Sequence, residues 1–311
     1  MKCAYHPNYQ VALGPEHPFP MSKYPLLKDQ LLNERLITAA ELIEPEPIPL
    51  EMAGLVHTAD YLSRLSSSAL STAEIRRLGL PWSEALWLRS RLAAGGTLLA
   101  ARFALAEGVA ANLAGGTHHA FADHGEGFCV LNDVAIAIAQ LCAERHIARA
   151  LIIDLDVHQG NGTAAIFEGS TQIYTFSMHG EKNYPTLKMR STLDVELPDG
   201  LDDAGYLALL ADRLPPVLDA ARADLVFYVA GVDVVAGDRY GKLALSEQGL
   251  RTREQIVVNA VRARALPLVI VLGGGYAPTR ERTAALHAHV FREAIAGERS
   301  GKKGKLRTWS C

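Results

Sequence analysis

The sequence predicts a single α/β domain built on a mainly parallel sheet, and three observations lead there. Short apolar runs recur along the chain, most close on Gly, Asp or Asn, and stretches of helical periodicity lie between them. An apolar run without polar alternation suits a strand covered on both faces, as strands of a parallel sheet are. Strands alternating with helices need crossover connections, which cover the sheet with helices and give three layers.

Taken in order, residues 1–25 hold Pro7, Pro15, Pro18, Pro20 and Pro25 together with Gly14, a composition that predicts an ordered loop laid over the domain. The clearest helix spans 84–107, where Leu86, Leu88, Leu92, Leu98, Leu99 and Phe103 recur among alanines. It leads into a strand at 110–113. A helix at 134–145 and strands at 150–155 and 173–176 follow, then a helix at 204–221 and a strand at 225–230. The pattern closes with a helix at 247–263, a strand at 268–272 and a helix at 280–296. From 299 to 311 the chain carries Lys302, Lys303 and Lys305 among glycines, which predicts a flexible basic tail after a domain spanning 1–298.

Composition narrows the class. With 311 residues, 49% hydrophobic and 21% charged, the chain can bury a sizeable core, which excludes a disordered or fibrous protein. Lys and Arg number 31 against 34 Asp and Glu, a net charge of -3, too balanced for a protein that binds nucleic acid by displacing counterions. Cys3, Cys129, Cys142 and Cys311 are scattered without a CxxC pair, so neither a cysteine zinc site nor a disulfide scaffold is indicated, and a cytoplasmic setting fits. The first residues lack the pattern of a signal peptide, and no apolar run reaches the roughly 18 residues of a membrane span.

Chemistry concentrates where predicted strands end. The strand at 150–155 runs into Asp154-Leu155-Asp156-Val157-His158, and extended chain would turn Asp154, Asp156 and His158 to one side. Ligands bind at the carboxyl ends of such strands, and two carboxylates with an imidazole suit a divalent cation, although Asp and Gly there also serve as turn formers. A second strand ends in Gly231-Val232-Asp233. Asp156, His158 and Asp233 would leave open positions for water and substrate, as a catalytic metal requires. Past a third strand stands Gly115-Gly116-Thr117-His118-His119, two imidazoles suited to general acid and base work. Past a fourth stands Gly273-Gly274-Gly275-Tyr276, which lacks dinucleotide-binding spacing and instead offers a phenol to a developing oxyanion.

Together these residues resemble the histone deacetylase superfamily, which shares its fold with arginase. The matching blocks run from Val56-His57-Thr58-Ala59-Asp60-Tyr61-Leu62 through the paired histidines, Gly127-Phe128-Cys129, Asn132-Asp133, Asp154 to Gly162 and Gly231 to Asp233, then Gly237-Asp238-Arg239 and Gly273 to Tyr276. They cover nearly the whole chain and, in combination, are highly specific.

The resemblance implies an eight-stranded sheet flanked by helices and a narrow tunnel leading to one zinc ion, with Fe(II) an alternative for the same donors. By the family pattern Asp156, His158 and Asp233 ligate the metal. His118 and His119 are the catalytic pair, supported by Asp154 and Asn161, and Tyr276 polarises the scissile carbonyl. The tunnel is implied at Gly127, Phe128, Tyr184, Tyr240 and Gly274, and a structural potassium ion at Asp154 and Ser177. Asn161, in Gln159-Gly160-Asn161-Gly162, stands where class I members carry an aspartate and reads as class IV-like. An amide cannot stabilise a charged imidazole as a carboxylate would, so His119 is expected to be the readier base. The implied reaction is metal-assisted removal of acyl groups from lysine side chains of proteins or peptides. The alternative is deacylation of small amines or polyamines, which Tyr240 weakens because it offers no countercharge. A ureohydrolase would need further aspartates for a second metal, and a non-catalytic binding protein would be expected to have lost a ligand or Tyr276.

Overall fold

The computed structural model describes residues 1–14 and 16–305, with side chains described as far as Ala296. Eight strands form one sheet: β1 (Lys2–Ala4), β2 (Leu42–Ile43), β3 (Val109–Asn112), β4 (Ala150–Asp154), β5 (Ile173–Gly180), β6 (Leu193–Leu197), β7 (Leu225–Val229) and β8 (Leu268–Val271). Their order is β2-β1-β3-β8-β7-β4-β5-β6, and every pairing is parallel. The helices are α1 (Lys23–Asn33), α2 (Leu50–Ala53), α3 (Ala59–Ser66), α4 (Thr72–Leu78), α5 (Glu84–Glu107), α6 (Asp133–Ala143), α7 (Asn161–Ile166), α8 (Asp203–Ala221), α9 (Glu247–Ala263) and α10 (Arg280–Lys305).

The apolar runs are continuous because alternate residues enter different cores. Ala150 and Ile152 of β4, with Phe227 and Val229 of β7, pack among α5 and α6 residues such as Leu98, Ala101, Val134 and Ile138. Leu151, Ile153, Val226 and Tyr228 face the other way, toward Leu210 and Leu214 of α8, Val257 of α9 and Phe291 of α10. Both faces are thus sealed from water, the burial that a parallel sheet needs. No described helix is long and apolar enough to cross a membrane.

Helices α5 and α9 have the bounds that the sequence predicts, because each begins at a serine cap: Ser83 accepts from Leu86 N and Ser246 from Gly249 N. Against β3, α5 approaches closely at Gly96, where a Cβ would lie 2.8 Å from Asn112 Oδ1.

Three expectations need correction. The N-terminal segment is more than a covering loop, since β1 pairs with both β2 and β3, and α1 starts at Lys23 with Pro25 tolerated in its first turn. Strands of two or three residues are too short to show a period, which is why β1 and β2 escape sequence reading. Edge strand β6, half-exposed, also went unpredicted. Finally, α10 continues beyond 296 to Lys305, while residues 306–311 of the expected basic tail lie outside the described residues.

Candidate active site

The four strands at the middle of the sheet, β3, β8, β7 and β4, are consecutive neighbours, so the loops leaving their carboxyl ends meet. His118 follows β3, Tyr276 follows β8, Asp233 follows β7, and Asp156 and His158 follow β4. Chain after Asp154 leaves the extended form that the sequence reading assumed. Asp156 N donates to Asp154 Oδ1 (3.2 Å) and His158 N to Asp156 Oδ1 (3.0 Å), so the segment turns instead. The turn separates Asp154, which serves His118, from Asp156 and His158, which turn toward Asp233.

Asp156, His158 and Asp233 are all buried and offer donor atoms within 4.8 Å of one another. His158 Nδ1 lies 3.0 Å from Asp156 Oδ1 and 3.3 Å from Asp233 Oδ2. The remaining oxygens are committed: Gly274 N donates to Asp156 Oδ2 (2.5 Å) and Val157 N to Asp233 Oδ1 (2.9 Å). Asp233 Oδ2, however, is buried without a hydrogen bond. A buried carboxylate oxygen with no donor is costly unless a cation takes that place. Burial and the neighbouring Asp156 charge push Asp233 up to about 7, and the two carboxylates outweigh burial to raise His158 to about 10. The group holds protons where positive charge is needed, and its two carboxylates and one imidazole fit a divalent cation. Gly274, predicted in the tunnel, is also a neighbour of this group: a Cβ on it would lie 2.8 Å from Asp156 Oδ2.

Beside this group the paired imidazoles lie with ring centroids 4.1 Å apart, their planes tilted by 50°. His118 Nδ1 is 2.7 Å from Asp154 Oδ2, and His119 Nδ1 is 2.7 Å from Asn161 Oδ1. The environments diverge accordingly. Burial lowers His118, but Asp154 and Asp156 outweigh it and hold the ring at about 9. Burial, together with positive charge on His118 and His158, drives His119 well below its ordinary value, and the Asn161 bond offsets little of this. The loop bearing the pair is pinned by Asp133 at the start of α6, whose carboxylate accepts from Gly116 N (3.1 Å), Thr117 N (2.8 Å), Thr117 Oγ1 (2.5 Å) and Thr97 Oγ1 (2.5 Å).

Of these residues, His118, His119, Asp156 and His158 line a cavity of about 310 Å³ and form its floor. Gly127, Phe128, Tyr184, Tyr240 and Gly274 all line it, as does Tyr276. The Tyr276 ring stands 4.9 Å from Tyr240 and 6.2 Å from Phe128, while Tyr184 lies edge-on to His119 at 5.0 Å. Asp238 fixes the far wall, accepting from Tyr276 N (2.6 Å) and Tyr240 N (2.9 Å). Ser177 lies opposite Asp154 across the β4–β5 ladder, its hydroxyl 2.8 Å from His179 Nδ1.

Sequence reasoning missed Phe19, which reaches in from the N-terminal segment to meet Phe128 at 5.4 Å and Tyr276 at 6.2 Å. It also missed Asp133 and Glu126 as supports, although both stand in or beside the blocks Asn132-Asp133 and Gly127-Phe128-Cys129.

A parallel eight-stranded sheet that opens at its carboxyl edge onto such a floor is the architecture of the arginase and deacetylase fold class. Within that class the chain belongs to the histone deacetylase family, whose domain matches residues 17–293. An uncharacterized protein of Picosynechococcus sp. is 46% identical over 94% of this chain and 95% of its own. Histone deacetylase 2 of Arabidopsis thaliana is 32% identical, covering 90% of this chain and 76% of its own. Among solved structures, the HDA15 HD domain superposes with a TM-score of 0.77 at 22% identity, covering 96% of this chain and 92% of its own, and so shares the fold. Family membership places the protein among hydrolytic deacetylases acting on acetylated substrates.

Proposed function

We propose that the protein is a metal-dependent deacylase of N-ε-acyl-lysine side chains in peptides or proteins. The observation that carries this reading is the cavity itself: an aromatic passage suited to a methylene chain, ending on the Asp156, His158 and Asp233 group beside two imidazoles. Those three residues would hold the ion, with zinc favoured and Fe(II) compatible with the same donors. A bound cation there supplies Lewis acidity toward an acyl oxygen and acidifies water.

The protein's own groups do the rest. His119 directs Nδ1 at Asn161 and keeps Nε2 to take a proton from the attacking water. His118, kept protonated by Asp154 and Asp156, gives a proton to the departing amine. The Tyr276 hydroxyl donates to the oxyanion, and Phe128, Tyr184 and Tyr240 keep the passage dry. A structural potassium ion at Asp154 and Ser177 belongs to the same reading. So does the class IV-like assignment, which rests on Asn161.

Lysine is favoured over a polyamine because the mouth offers no spare anion among its named walls. Asp238 is occupied by backbone donors, Glu126 by Asn161 and Tyr184, and Arg77 adds positive charge. Purified protein with its metal content measured should hydrolyse acetyl-lysine peptides faster than acetylpolyamines, and assays across acyl-chain lengths would define the passage. Preference for acetylpolyamines would overturn the lysine reading.

A further inference from the structure

Glu126 directly precedes the cavity residues Gly127 and Phe128, and its backbone N–H bonds Cys129 O at 3.0 Å. One carboxylate oxygen, Oε1, accepts from Asn161 Nδ2 at 2.8 Å and also from the Tyr184 hydroxyl. The other, Oε2, lies 3.5 Å from His124 Nε2. Burial works against ionisation, yet bonds from His124, Tyr184 and Asn161 hold the carboxyl at about 2.

The direction of these bonds decides the chemistry. An ionised carboxylate accepts and cannot donate, so the Asn161 amide must turn its NH₂ toward Glu126. Its Oδ1 must then face His119 Nδ1, 2.7 Å away. An amide oxygen only accepts, so the ring carries its proton on Nδ1 and leaves the Nε2 lone pair free. With the amide reversed, its NH₂ would face Nδ1, the ring proton would move to Nε2, and no lone pair would remain to receive a proton from water.

We propose that Glu126 is a positioning residue that orients the Asn161 amide, thereby selecting the His119 tautomer with a free Nε2, and that the same oxygen holds Tyr184 over the His119 ring. The need for it arises from Asn161. An aspartate at that position would accept through either oxygen and would require no orientation. The catalytic consequence rests on His119 acting as the base, whereas the tautomer can be read without any reaction.

The test uses full-length, metal-loaded protein with ¹⁵N-labelled histidine, the His119 resonances being assigned with His119→Ala. In the wild type His119 should show a single Nδ1–H tautomer. Glu126→Leu should convert it to a mixture and lower kcat by about 10- to 100-fold, the usual cost of losing a partner that orients an active group. Tyr184→Phe should leave the tautomer unchanged. Adding Asn161→Asp to Glu126→Leu should return kcat to the level of Asn161→Asp alone. Should the leucine variant fail to fold, Glu126→Ala serves, because it likewise removes the acceptor that fixes the Asn161 NH₂. An unchanged tautomer in either Glu126 variant overturns the assignment, as does a loss of kcat that Asn161→Asp leaves unrelieved. A Glu126-dependent tautomer in a protein inactive on every acylated amine would sink the base reading of His119 and leave the Glu126 assignment standing.

Discussion

His118 and His119 are chemically identical neighbours that their partners drive apart. A carboxylate behind His118 holds it at about 9, while an amide behind His119 leaves burial to push that ring down. Asn161→Asp would set a negative charge beside His119 and favour its protonated form. The base would then be lost at higher pH, so the acid limb of kcat/KM should move upward; an unmoved limb would remove His119 from the base role. Tyr276→Phe deletes one preorganised donor, a change that typically lowers kcat about 10²- to 10³-fold. Metal content, checked by elemental analysis, should be unaffected. At this scale the candidate ligands and the histidine pair were legible because unusual residue types stood at predicted strand ends. Glu126 and Phe19 were not, since their partners lie far along the chain and no local spacing announces them.

Two elements hold the working side chains still. Asp133 opens α6 and satisfies four donors from α5 and the histidine loop, so Asp133→Ala strands buried N–H and O–H groups. Hydrogen bonds to a charged group contribute about 1.5–3 kcal/mol each, so a loss on the order of 3 kcal/mol or more is expected in denaturant unfolding, with a fall in kcat. Gln159 grips the segment that carries Tyr184: its Nε2 donates to Met189 O (2.7 Å) and Asp194 Oδ1 (2.8 Å), and its Oε1 accepts from Met189 N (2.8 Å). Gln159→Ala should free that wall and raise KM more than it lowers kcat, which steady-state kinetics on an acyl-lysine peptide would show. The long serine-capped helices α5 and α9 were readable to the residue, whereas the short α4, capped by Ser71, was not. The turn after Asp154 was not, because an Asp side chain bonding the backbone two residues on competes with extended chain, and sequence alone does not decide the winner.

Across the whole molecule, a cation on Asp156, His158 and Asp233 would replace the protons held there. Asp233 releases its proton near 7 and His158 near 10 in the metal-free protein, so binding must displace more protons at lower pH. Stabilisation by metal should therefore grow as pH rises from about 7 to about 10. Thermal melting with and without a chelator across that range would check the sign; a metal-induced shift that shrank with rising pH would contradict the ligand assignment. The sequence by itself determined the α/β class, the both-faces burial of the strands and the chemical character of the site, because these follow from local periodicity and residue type. Only the tertiary structure decided that β3, β8, β7 and β4 stand side by side, that Phe19 returns to the cavity and that Glu126 reaches Asn161. Strand order and long-range hydrogen bonds arise from how crossovers pack, a property of the folded chain that no short stretch of sequence contains.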